Sequence, residues 1–245
     1  MSKLLSQSDA RTFFLRHVVL IPGLLAILGT ITHLSGIDHA LAAAIFDPIT
    51  GKFPAHDLNM LEMFGHRFAK TAITLVWIVL FAAACRVSFS AKLRKYRAIC
   101  WSAVAAMGLG PIIVVAMKGM NAYHCPWDLK DFGGYADFAT GWFVSAAEAG
   151  NCFPSGHASS GFSLIALFFL ARQLERERLA KVALYSTLII GTTFSVIRMF
   201  QGAHFLSHNL WAAAICWLVA ALCFLPLQRR ASVLVVSPSV LPEQI

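Results

Sequence analysis

A chain of 245 residues that is 58% hydrophobic and only 13% charged is too apolar for a water-soluble domain, in which charged residues make up roughly a quarter. The net charge of +8 does not point to nucleic acid. The basic residues sit in short clusters between apolar runs, the arrangement that fixes a membrane protein's orientation.

A bilayer core takes about 20 apolar residues as helix, and the chain offers six such stretches, near 17–35, 66–85, 98–117, 157–172, 181–197 and 209–227. The first follows Lys3, Arg11 and Arg16 but is long and lacks a small-residue cleavage site, so it reads as a span and not a removed leader. In the loop before the second, Asp57, Asn59, Glu62 and Arg67 interleave with Leu58, Leu61 and Phe64, the pattern of an amphipathic stretch lying on the membrane. The second and fourth stretches are short and lean on flanking residues. After Arg230 the chain turns to Ser237, Pro238, Ser239 and Pro242, a tail expected to be disordered. The expected fold is therefore all-α, a six-transmembrane-helix bundle forming one domain over 1–230, with residues 231–245 as a cytoplasmic tail.

Charge bias orients the bundle. Lys3, Arg11, Arg16, Arg86, Lys92, Arg94, Lys95, Arg97, Arg172, Arg176, Arg178, Lys181, Arg229 and Arg230 fall on one side. Only Lys52, Arg67, Lys70, Lys118, Lys130 and Arg198 fall on the other. Both termini are thus expected in the cytoplasm. Histidine is more lopsided still, since only His17 lies on the inner side. No Asn-x-Ser/Thr sequon occurs, which agrees with a bacterial inner membrane whose outer face is periplasmic.

Three polar segments meet that outer face. Lys118 to Asp128 leaves the third span, Cys152 to Gly161 enters the fourth, and Arg198 to Asn209 joins the fifth to the sixth. Lys118 or Arg198 alone, at the end of a span, would read as a side chain snorkelling to the interface. Together they supply fixed positive donors for a phosphate, the guanidinium as a planar fork. Ser155 adds a hydroxyl, Gly156 a backbone N–H that can approach closely, and a helix starting after Pro154 an anion-binding end.

These segments resemble the signature of the type 2 phosphatidic acid phosphatase superfamily, which includes lipid phosphatases and, more distantly, vanadium haloperoxidases. The family pattern is Lys, six residues, Arg-Pro; then Pro-Ser-Gly-His; then Ser-Arg, five residues, His, three residues, Asp. Pro154-Ser155-Gly156-His157 matches in full, Arg198 and His204 stand at the required spacing, and Lys118 lies upstream in order on the same outer face. The resemblance covers roughly residues 70–227 and implies a six-span fold. It implies that His204 attacks phosphorus to give a phosphohistidine, and that His157 protonates the leaving oxygen and then activates water. Such a scheme needs no metal or other cofactor.

Three positions depart from the pattern. Cys125 stands where the family has arginine, Ile197 where it has serine, and His208 where it has the aspartate that orients the nucleophile. A neutral histidine can fix a tautomer but cannot stabilise an imidazolium as a carboxylate does. Asp128 and Asp131 are the nearest carboxylates by sequence that could serve instead. Of six cysteines, only Cys125 and Cys152 fall on the outer face. In an oxidising compartment a bridge between them would staple the first motif to the second, worth roughly 3.5 kcal/mol by chain entropy.

The sequence thus predicts a membrane enzyme hydrolysing a lipid or isoprenoid phosphate or diphosphate, its partners being that lipid and the bilayer and not nucleic acid. The alternatives are phosphotransfer between lipids, a catalytically weak lipid-phosphate-binding protein, and a metal-dependent enzyme using His204 and His208, whose spacing of four suits zinc. His33, His39, His56 and His66 are expected to do no more than hydrogen-bond water at the interface, and His124 carries no assignment.

Overall fold

The computed structural model describes residues 7–56, 69–139, 141–145 and 147–235. Among them there are helices and isolated bridges but no strand. Helix α1 (Gln7–Phe13) continues through a π-helical stretch, Phe14–Leu20, into α2 (Ile21–Leu34), and α3 (Ile37–Ile45) follows a tight turn at Gly36. Then come α4 (Ala69–Phe89), α5 (Arg97–Lys118), α6 (Gly156–Phe162), α7 (Ile165–Gln173), α8 (Glu177–Phe200) and α9 (Leu206–Val235). Five helical segments, Ala10–Leu34, Lys70–Phe89, Arg94–Lys118, Glu177–Phe200 and Leu206–Gln228, are long and apolar enough to cross a membrane.

The stretch expected as the fourth span is not one helix. It breaks at Ser163 and Leu164 into α6 and α7. The local cause is a run of serine hydroxyls that compete for backbone carbonyls. Ser159 and Ser160 both donate to the Gly156 carbonyl, and Ser163 donates to that of Ser160 at 2.7 Å. Gly161 meanwhile lies so close to α8 that an added Cβ would sit 2.8 Å from the Gly191 Cα. Small residues let helix backbones touch, which is how apolar helices gain packing energy when their surroundings are equally apolar.

The core follows from the same logic. Leu80 and Ala84 of α4, Ala103, Val104, Ala106 and Met107 of α5, Ile165, Ala166 and Phe169 of α7, and Ala220, Ala221 and Phe224 of α9 pack together. Outward, α2 exposes Leu24, Ile27 and Ile31, and α4 exposes Leu75, Ile78 and Val79, as expected of helices that are apolar all round. Between α2, α8 and α9 lies an apolar cavity of about 520 Å³, lined in part by Leu24, Leu28, Val196, Leu206, Asn209 and Trp217.

At the tail the structure departs from expectation, because α9 runs past Arg230 to Val235. Ala231-Ser-Val-Leu-Val235 holds no proline or glycine to stop it. The amphipathic stretch around Asp57–Arg67 and His66 lies outside the described residues, as do residues 236–245.

A small cap closes one end of the bundle. Ala42, Phe53, Leu129, Phe132, Ala136 and Phe205 form a second apolar cluster beneath two 3₁₀ turns, Pro126–Asp128 and Lys130–Phe132.

Candidate active site

The three polar segments converge at the capped end. Lys118 is the last residue of α5, and its Nζ lies 3.7 Å from where a Cβ on Gly156 would be. The ammonium therefore stands against the first turn of α6. Ser155 is fully buried at the N-cap of α6, where its hydroxyl accepts the Ala158 N–H at 3.4 Å. Its own N–H donates to the His208 carbonyl at 3.0 Å, so the second motif is pinned to the third.

The third motif bends sharply after α8. Gly202 sits at φ 72°, and a Cβ there would fall 2.2 Å from the Phe53 ring, so both conformation and space call for glycine. The Gly202 carbonyl accepts the Trp127 N–H at 2.9 Å. Arg198 donates from Nη1 to Gln201 Oε1 at 2.8 Å and lies over the Trp127 ring, 5.6 Å from its centroid. The first motif thus supplies an aromatic face for the guanidinium of the third.

His204 lies in the turn just before α9 and is 3% exposed. Its Nδ1 stands 3.5 Å from Nδ1 of His208 and 3.4 Å from Cys152 Sγ. Cys152 and Cys125 are joined in a disulfide, and Cys152 Sγ also lies 3.1 Å from the Ala203 carbonyl. Burial, reinforced by Lys118, His208, Arg198 and His157, holds the His204 imidazole well below its usual value of 6.5. The ring is therefore neutral near pH 7, with a lone pair available. The same four neighbours are the remaining basic residues singled out from sequence, so one buried imidazole sits amid all of them. Such a group can attack an anion that Lys118 and Arg198 attract.

The two carboxylates suggested by sequence have other contacts. Asp128 accepts the Cys125 N–H at 3.3 Å within its own turn. Asp131 pairs with His39 Nε2 at 3.0 Å on the surface, its side chain 61% exposed. The carboxylate near His208 is Asp38, in the first turn of α3, which sequence reasoning passed over. It is 3% exposed, and its Oδ1 accepts the Ser207 N–H at 2.9 Å. His33 Nδ1 lies 3.7 Å from its Oδ2. His33 is thus not a solvated interface residue but packs against Tyr123 and Phe138 beside Asp38. A signal was present: an acid inside an Ala- and Leu-rich segment just after a span is costly there and calls for a purpose. His56 and His124 rest against Trp127 and Tyr135 at the rim.

Among the described residues, the side chains close enough to share a metal ion are Cys125, Cys152 and His204. The two sulfurs are bonded to each other and offer no thiolate, the form that ligates metals.

A family model described as PAP2 superfamily matches residues 99–232, more than half of the 245 residues. No curated protein and no solved structure gives a significant match.

Proposed function

The chain belongs to the PAP2 superfamily, and from that premise we propose that it hydrolyses a lipid or isoprenoid phosphate or diphosphate through a phosphohistidine on His204. The family carries phosphatase-type chemistry on phosphate esters. The observation that supports the rest is the buried neutral His204 with Lys118, Arg198, His157 and His208 all acting on it.

Lys118 and Arg198 bind the phosphoryl oxygens, aided by the backbone at Gly156. Because His204 Nδ1 faces His208 and Cys152, Nε2 is the nitrogen that attacks. As the Nε2–phosphorus bond forms, the ester P–O bond breaks and the leaving oxygen takes a proton from His157. Water, giving its proton back to His157, then attacks phosphorus, releasing phosphate and restoring His204. Each proton transfer is worth about 10² to 10⁴ in rate.

The apolar cavity supports a substrate with a hydrocarbon chain, since Leu206 and Asn209 in its lining flank His208. The charge bias of the chain supports an outward-facing site, and the lack of an Asn-x-Ser/Thr sequon agrees with a bacterial inner membrane. The deciding experiment is phosphate release by the purified protein from phosphatidic acid, phosphatidylglycerophosphate, undecaprenyl diphosphate and lipid A, with EDTA, beside His204→Ala. Release that survives EDTA and is lost in the variant is the expected outcome. Release that EDTA abolishes would move the assignment to a metal enzyme, and no release at all to a lipid-phosphate-binding protein.

A further inference from the structure

The position that holds the orienting aspartate in the family's third motif is His208 here, yet the geometry points to Asp38 as the carboxylate of this site, acting on His204 through His208. This inference rests on His204 being the nucleophile.

The argument starts from two facing nitrogens. His204 Nδ1 and His208 Nδ1 are 3.5 Å apart in a buried site. Two neutral imidazole nitrogens in that position suit each other only when one carries a proton and the other does not. If His208 held the proton, His204 would carry its own on Nε2 and have no lone pair to attack with. A reactive His204 therefore donates from Nδ1, and His208 accepts at Nδ1. That choice fixes the proton of His208 on Nε2.

Nε2 of His208 is buried and has no hydrogen-bond partner among the described residues; the same holds for Asp38 Oδ2, which stands 3.7 Å from His33 Nδ1, so Asp38 acts on His208 through its charge and not through a direct hydrogen bond. A buried N–H and a buried carboxylate oxygen each carry a large desolvation cost unless matched. Asp38 is the acidic group that acts on His208, and His33 the first of the basic ones. Asp38 is also fixed beside it, since its other oxygen holds the N–H of Ser207, the preceding residue. The order is then the Asp38 carboxylate, acting across a gap by its charge, His208 facing His204 at 3.5 Å, and the attacking Nε2 at the far end. When Nε2 of His204 bonds to phosphorus, the Nδ1 proton can shift toward His208 and the positive charge toward Asp38. A carboxylate one imidazole removed thus does what a directly bonded one does elsewhere. The groups that face this series are His33 from α2, Lys118 from α5, His157 from α6 and Arg198 from α8. All of them are basic, so Asp38 supplies the opposing charge.

The test is Asp38→Asn in the full-length protein, assayed on dioctanoyl phosphatidic acid in mixed micelles. The amide oxygen keeps the Ser207 contact while the charge is lost. The expected result is a fall in kcat of about 10² or more with KM changed less than about threefold, and an acid limb of the pH–rate profile moved to lower pH. The double variant Asp38→Asn with His208→Asp returns a carboxylate to the nucleophile and should regain at least about tenfold. A single variant within about threefold of the parent overturns the inference. So does a loss that tracks folded protein alone with an unchanged pH profile, or a double variant no better than the single. The ¹⁵N spectrum of histidine-labelled parent protein, with His208 assigned by His208→Gln, decides the matter without turnover. His208 should carry its proton on Nε2 in the parent and lose that preference in Asp38→Asn. A proton on Nδ1 in the parent overturns the inference. If the parent releases no phosphate from this or any other lipid tested, the phosphatase reading fails, and the tautomer still judges Asp38.

Discussion

The interior of the bundle and the cap at its end are both buried, but they are built on different terms. In the interior, Ala106, Met107, Ala220 and Phe224 are almost wholly enclosed and pack in the apolar core, where contacts need volume and not direction. In the cap, Asn121, Ser155, Asp38 and His208 are as deeply enclosed, and all of them carry polar atoms that need partners. Asn121, for example, reaches the Met117 and Phe153 carbonyls from one amide nitrogen. Burial therefore means tolerance in one region and exactness in the other. A volume-preserving exchange should pass in the core, while removal of a single polar atom should fail in the cap.

The sharpest break of that symmetry is His204→Ala against Met107→Leu. The first should lower phosphate release by about 10⁴ or more, while the second should leave kcat within about threefold and cost roughly 1.5 kcal/mol at most in stability. Steady-state assays with thermal melts of both variants check this. Next in size is Arg198→Lys, which keeps the charge but loses the planar fork and the stacking on Trp127. Its kcat/KM should fall about 10- to 100-fold, with melting temperature nearly unchanged. Replacing both Cys125 and Cys152 with serine should lower stability by roughly 3.5 kcal/mol and slow turnover about tenfold. The loss of rate is expected because the bridge touches both the Ala203 carbonyl and His204 Nδ1.

The smallest expected effect is a pH slope. His204 protonates near 6.5 when unfolded but resists protonation when folded, so below about pH 6.5 the unfolded chain binds more protons. Stability is then full above that value and falls as pH drops, by up to about 1.4 kcal/mol per pH unit for this one group. Melting temperatures at about pH 8 and pH 5 should show a shallower slope in His204→Asn than in the parent.

The same division governs what could be read from the sequence. Long apolar runs and their flanking charges mark helices such as Arg97–Lys118 because bilayer length imposes a simple rule on composition. The break at Ser163 obeys no such rule. It arises from side-chain hydroxyls and from a close approach of Gly161 to Gly191, a contact made by a helix further along the chain. In the site, Lys118, Ser155, His157, Arg198 and His204 were legible because each lies in a short motif with fixed spacing. Asp38 was marked only as an acid in an apolar segment; its place beside the site comes from the fold that brings α3 against the start of α9. His33 was misread for the same reason, its surroundings being tertiary. Asp128 and Asp131 were near in sequence, yet the turn at Pro126 directs them to Cys125 and His39.

The apolar cavity between α2, α8 and α9 has a practical bearing on every assay above. Its walls offer hydrocarbon and little else, so they have few means of telling an acyl tail from the tail of a solubilising detergent. Activity in micelles is then a competition, and the apparent KM should climb with the length and concentration of the detergent chain. Reconstitution into nanodiscs removes that competitor and gives the affinity a lipid encounters in a bilayer.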